Sequence, residues 1–155
     1  MCELLSVVDR FNAELNRITP EKRDEIRHIT KVAYDFAPFA VCIMKSIINF
    51  TRKLFVDKKL IGIYMMDSSI KCPHEVVSEY RRLFDKELVN LISETFQQMN
   101  FELRLSLYAC RRTWKSIFSD STLERLNRHI NAIDPAWPQQ FLPRERCSVL
   151  LVVLF

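Results

Sequence analysis

The chain holds a single glycine, Gly62, among 155 residues. Tight hairpin turns and phosphate-cradling loops both draw on glycine for backbone with positive φ. A chain nearly without it is steered towards helices joined by short polar or proline-containing links. The hydrophobic periodicity agrees. Leu4, Leu5, Val8, Phe11, Leu15 and Ile18 recur at the spacing of one helical face. Thr19-Pro20-Glu21 reads as a helix start, with a capping hydroxyl, proline at the first helical position and an acid in the first turn. A second helix follows through Ile26, Ile29, Val32, Ala33 and Phe36 and breaks at Ala37-Pro38.

A third helix is expected from about Pro38 to Phe55. It is apolar nearly all round and is expected to lie centrally. A fourth covers about Lys59 to Cys72 and stops at Pro73. The stretch Glu75–Met99 keeps a continuous helical period, with a break expected near Asp85. A further helix runs from about Asn100 to Phe118 with a core stripe of Leu103, Leu107, Cys110, Trp114 and Ile117. Ser121-Thr122-Leu123-Glu124 fits a capping box opening a last helix. The prediction is an all-α array of seven or eight helices in a domain spanning 1–134. A tail over 135–155 is proline-containing and then apolar from Cys147 to Phe155.

Composition narrows the function classes. A net charge of +4 suits an acidic or phosphorylated partner but falls short of a dense nucleic-acid footprint. The five cysteines are widely scattered, and neither a CxxC nor an HxxxH motif occurs, so neither a metal site nor a cofactor is expected. His28, His74 and His129 lie in separate segments, and there is no nucleophile elbow, so the reading is a binding domain rather than an enzyme, with no catalytic residues. The N-terminus has no basic region of the signal-peptide kind, and no apolar run approaches the ~20 residues that span a bilayer, so no membrane partner is expected.

One segment conflicts with its surroundings. Asp67, Ser68 and Ser69 sit inside an apolar helix, although such residues compete for backbone hydrogen bonds and cost a few tenths of a kcal/mol each. Tyr64, Asp67 and Lys71 share a face, with Ile63, Met66 and Ile70 beside them. The spacing alone fits two arrangements. One is a carboxylate set beside an apolar strip to accept a partner's hydroxyl. The other is an Asp67–Lys71 surface ion pair with two small serines at a helix crossing. Further on, Arg104, Tyr108, Arg111 and Lys115 form a basic stripe suited to phosphate or RNA, or else a solvated helix face.

At these residues the chain resembles a known family. Tyr64-Met65-Met66-Asp67-Ser68-Ser69-Ile70-Lys71 is similar to the helix-four signature of CTD-interacting domains, and Arg111-Arg112-Thr113-Trp114-Lys115-Ser116-Ile117-Phe118 to the ending of their seventh helix. The resemblance covers about Leu4 to Ile133 and is closest to the domain of a pre-mRNA cleavage complex subunit that also drives transcription termination. It implies a right-handed superhelix of about eight helices, related to VHS and ENTH domains, with a groove between the second, fourth and seventh. That groove would take the Tyr-Ser-Pro-Thr-Ser-Pro-Ser heptad of the RNA polymerase II tail, phosphorylated on its second residue. By the same resemblance Asp67 accepts the heptad tyrosine's hydroxyl, with Tyr64, Met66 and Ile70 near its ring and Ser68 and Lys71 lining the groove. Arg111, and less directly Arg104, supply positive potential. Nuclear localisation and other cleavage and polyadenylation factors as partners are implied in the same way.

The sequence departs from the family pattern at several positions. Cys72 replaces the asparagine that closes the signature, and polar Ser69 stands where an apolar residue is usual. Glu21-Lys22 replaces an asparagine–serine pair, and Ala109 stands where some relatives place a phosphate-reading arginine. Each lost polar contact is worth about 1 kcal/mol, so weak binding with modest phosphate dependence is expected.

Overall fold

The structure is a computed structural model, and it describes residues 2–19 and 23–138, with side chains from Leu5 onward. The described residues form α1 (Cys2–Asn16), α2 (Arg23–Asp35), α3 (Ala40–Lys53), α4 (Lys59–Lys71), α5 (Val77–Gln98), α6 (Phe101–Arg112) and α7 (Asp120–Ile133). Short 3-10 turns at Ala37–Phe39, Val56–Lys58 and Thr113–Ser116 join them, and no strand occurs among the described residues. The chain divides into two compact units, one ending at Lys86 and the other starting at Glu87.

In the first unit the core is built from Phe11 and Leu15 of α1, Ile29 and Ala33 of α2, Ile43 and Ile47 of α3, and Ile63 of α4. The expectation that α3 would be the central helix is corrected. Val41 is 43% exposed and Lys45 faces solvent, so α3 is one-sided. The most buried helix is α4, in which only Tyr64, Ser68 and Lys71 escape full burial. Gly62 is the reason it can lie so close to α3: a Cβ there would sit 1.9 Å from Thr51 Oγ1 and 2.6 Å from Thr51 Cβ. Beside this contact Lys59, 4% exposed, donates from Nζ to the carbonyls of Thr51 (3.1 Å) and Arg52 (2.8 Å). It thereby serves the open C-terminal carbonyls of α3 with a cation, where the helix dipole favours one. Tyr34 and Tyr80 are buried, and desolvation pushes both phenols well above their usual range.

The expected break near Asp85 is absent: α5 is a single helix from Val77 to Gln98. Asp85 is only half-buried, so its side chain reaches water and imposes no break. In the second unit Leu91, Ile92, Phe96, Leu107, Trp114, Leu126, Ile130 and Trp137 are buried. Helix α7 opens two residues earlier than the expected capping box. Ser119 is the N-cap, its Oγ accepting from Thr122 N at 3.1 Å. Trp137, 1% exposed, packs edge-on against Phe96 and Tyr108 at centroid distances of 5.2 and 5.0 Å. The packed unit therefore extends past the boundary expected at residue 134. The apolar segment Cys147–Phe155 and the helix-start residues Pro20 and Glu21 lie outside the described residues.

Candidate functional site

The polar trio of α4 is absorbed by its neighbours. The Ser68 hydroxyl pairs with that of Thr30 on α2 at 2.9 Å, and Ser69 Oγ donates to Met65 O at 2.8 Å, one turn back. The Ser69 carbonyl accepts from the Tyr34 hydroxyl. Two small hydroxylic residues thus let α2 approach α4 while every polar group keeps a partner. Thr30 was not singled out from the sequence. Its position four residues after Ile26, on the core stripe of α2, is the signal that could have found it.

Asp67 is 7% exposed, and its two carboxylate oxygens lie 2.6 and 2.8 Å from Lys71 Nζ. The ion pair and the serines at a helix crossing are both present, but the pair is largely buried rather than at the surface as expected. A carboxylate offers about four lone-pair sites in all, so one that is ion-paired can also accept a hydroxyl donor. Met66 and Ile70 are 0% exposed. They belong to the core and cannot line a groove directly, so they act on a ligand only by supporting what lies over them. Tyr64, Ser68 and Lys71 are half-buried and keep some surface. The C-terminal end of α4 is held by Arg81, whose Nε donates to Ile70 O at 2.8 Å.

In the second unit α6 begins at the N-cap Asn100, whose Oδ1 accepts from Leu103 N at 3.0 Å. Its basic stripe does not act as one surface. Arg104 Nη1 is ion-paired with Asp134 at 2.9 Å, and its guanidinium lies over the Phe96 ring at 4.2 Å. That corrects the expectation that Arg104 is available to phosphate: it ties α6 to the end of α7. Tyr108 packs on Trp137, and Lys115 is exposed.

Arg111 differs from all of these. It is half-buried, and its Nε is shielded from solvent with no hydrogen-bond partner among the described residues. Burial holds its guanidinium below the usual arginine range, with Tyr108 pulling in the opposite direction. A half-buried guanidinium whose Nε is shielded from water and unpaired is poised for a carboxylate or phosphate. Below it the chain tightens into the 3-10 turn that buries Trp114, which meets Phe118 edge-on at 6.0 Å.

No family model matches the chain. It is 30% identical over 130 residues to the polyadenylation and cleavage factor homolog 11 of Caenorhabditis elegans, covering 83% of this chain and 16% of that protein. It is 26% identical over 155 residues to protein PCF11 of Saccharomyces cerevisiae, covering 94% of this chain and 24% of that protein. The chain thus spans a quarter or less of the relatives it matches. Among solved structures it superposes on the RPR domain of Pcf11 with a TM-score of 0.73 at 26% identity, covering 81% of this chain and 98% of that one. By sequence the chain is homologous to Pcf11, and by its all-α fold it is structurally similar to the CTD-interacting (RPR) domain of Pcf11.

Proposed function

We propose that this chain binds the phosphorylated heptad tail of RNA polymerase II and so couples transcription to mRNA 3′-end cleavage, polyadenylation and termination in the nucleus. The reading is supported by homology to Pcf11 and by the match to its RPR domain. The observation that carries it is Arg111, a half-buried guanidinium whose shielded Nε lacks a partner among the described residues. In this reading Arg111 supplies positive potential for the phosphate. Asp67, held in place by Lys71, accepts the heptad tyrosine's hydroxyl beside Tyr64 and Ser68. Asp67 is little exposed and already engaged, so the affinity is weak.

The partners are the polymerase tail and other cleavage and polyadenylation factors. A VHS- or ENTH-like trafficking adaptor, or a scaffold that binds no tail, is not favoured by the Pcf11 homology. The test is calorimetric titration of the chain with a two-heptad peptide, phosphorylated and unphosphorylated, beside the Asp67→Asn variant. Tighter binding of the phosphorylated peptide, weakened in the variant, is expected. Heat absent with both peptides sinks the proposal.

A further inference from the structure

Helices α1 and α3 of the first unit enclose a groove of about 460 Å3, on elements that carry none of the residues of the proposed tail site. Its α3 wall is Lys45, Asn49 and Lys53, and its α1 wall is Asn12 and Asn16. All but Asn12 are exposed, and the floor includes buried Leu15. Neither lysine forms an ion pair among the described residues, and no acidic side chain lines the groove.

We propose that this groove binds an extended acidic peptide from a partner protein. The charge argument is direct. Two unpaired ammonium groups in an acid-free groove attract carboxylates. The C-terminal end of α3, where Lys53 sits, favours a cation and so keeps that charge in place. The geometric argument is one of matching periods. Residues four apart on a helix rise by about 6 Å, so Lys45 and Lys53 stand about 12 Å apart along α3. An extended peptide advances about 3.3 Å per residue, so side chains four residues apart are separated by about 13 Å. Acidic residues at every fourth position would therefore meet both lysines. The carboxamides of Asn12, Asn16 and Asn49 each offer both a donor and an acceptor, which is what a peptide backbone requires between its side chains.

Single-stranded RNA fits less well. It calls for aromatic platforms and phosphate forks, whereas the lining holds no arginine and a single, half-buried ring, Phe50.

The proposal is independent of tail binding and is tested separately. A fluorescein-labelled extended peptide with glutamate at every fourth position is titrated into the whole chain. The same peptide with glutamine, and an oligouridylate, are titrated in parallel. Amide shifts are followed at Asn12 and Asn49. The glutamate peptide is expected to bind and to shift both amides. The K45E/K53E variant, altered only at exposed positions, loses at least about tenfold in affinity, and K45Q/K53Q loses less. Both variants leave heptad-peptide binding unchanged. Equal binding of the glutamine peptide, an unaltered affinity in K45E/K53E, or shifts produced by the oligouridylate alone would each overturn the proposal.

Discussion

On α4, Asp67, Ser68 and Ser69 each hold a partner, while on α6 the Nε of Arg111 holds none. Both regions place polar groups where apolar ones are expected. In the first the groups are satisfied by the fold itself. In the second the fold leaves a charged donor desolvated, which stabilises nothing until something binds. A polar residue in an apolar helix therefore marks either a helix crossing or a binding site, and its partners decide which. Even α6 alone contains both cases. Arg104 is paired with Asp134 and stacked on Phe96, and two turns on Arg111 is not.

The largest effect is expected where α4 is most firmly fixed. Gly62→Ala puts a methyl group 1.9 Å from Thr51 Oγ1. Overpacking of this kind costs about 1–3 kcal/mol and more where backbone must move. Chemical denaturation should show a loss of about 3 kcal/mol. Adding Thr51→Ala should recover only part of it, because Thr51 Cβ still lies 2.6 Å away. A mild effect would mean that the α3–α4 contact is looser than the structure has it. The reading of α4 as a structural crossing would then weaken.

Next comes Asp67→Ala. The side chains of Asp67 and Lys71 are 9% and 15% exposed. Breaking a sealed pair costs about 3–5 kcal/mol, and Lys71 can still turn towards water, so about 2 kcal/mol is expected. Denaturation of this variant beside Asp67→Asn separates the charge from the shape. If neither variant destabilises the chain, the carboxylate is held for a ligand rather than for the fold, and the contrast with Arg111 disappears.

These expectations also indicate what the sequence could and could not convey. The order and rough bounds of the helices were legible because their apolar stripes are long, although the cap of α7 lies at Ser119 rather than Ser121. The continuity of α5 was not. Asp85 has a poor helix propensity, but propensity is a weak prior beside a stripe that runs unbroken from Tyr80 to Phe96. The burial of Trp137 was also hidden. Three prolines around it read as the end of structure, whereas Asn131 Nδ2 donates to its carbonyl at 2.8 Å and its ring meets Phe96.

At the candidate site, spacing placed Tyr64, Asp67 and Lys71 on one face correctly. It could not show that Met66 and Ile70 lie fully inside, since an apolar strip looks the same whether it faces a ligand or the core. Nor could it separate Arg104 from Arg111, because the partner of the former, Asp134, is 30 residues away.

The two arginines give the smaller effects and the sharpest contrast. Arg104→Leu removes a partly buried ion pair and a contact over Phe96. A loss of about 1–2 kcal/mol is expected, with affinity for the phosphorylated heptad unchanged. A fall in that affinity would return Arg104 to the binding surface.

Arg111→Met should behave in the opposite way. Methionine keeps much of the aliphatic length and removes a guanidinium whose Nε is buried without a partner, so thermal stability should stay level or rise slightly. A hydrogen bond to a charged group contributes about 1.5–3 kcal/mol, so affinity for the phosphorylated peptide should drop by about tenfold or more, and affinity for the unphosphorylated one by less. Calorimetry and thermal melts on the same two variants give four numbers that must cross over: stability lost and binding kept for Arg104, binding lost and stability kept for Arg111. If Arg111→Met instead melts well below the unaltered chain while binding as tightly, its guanidinium holds the fold together, and the difference between satisfied and unsatisfied charge on α6 does not locate the site.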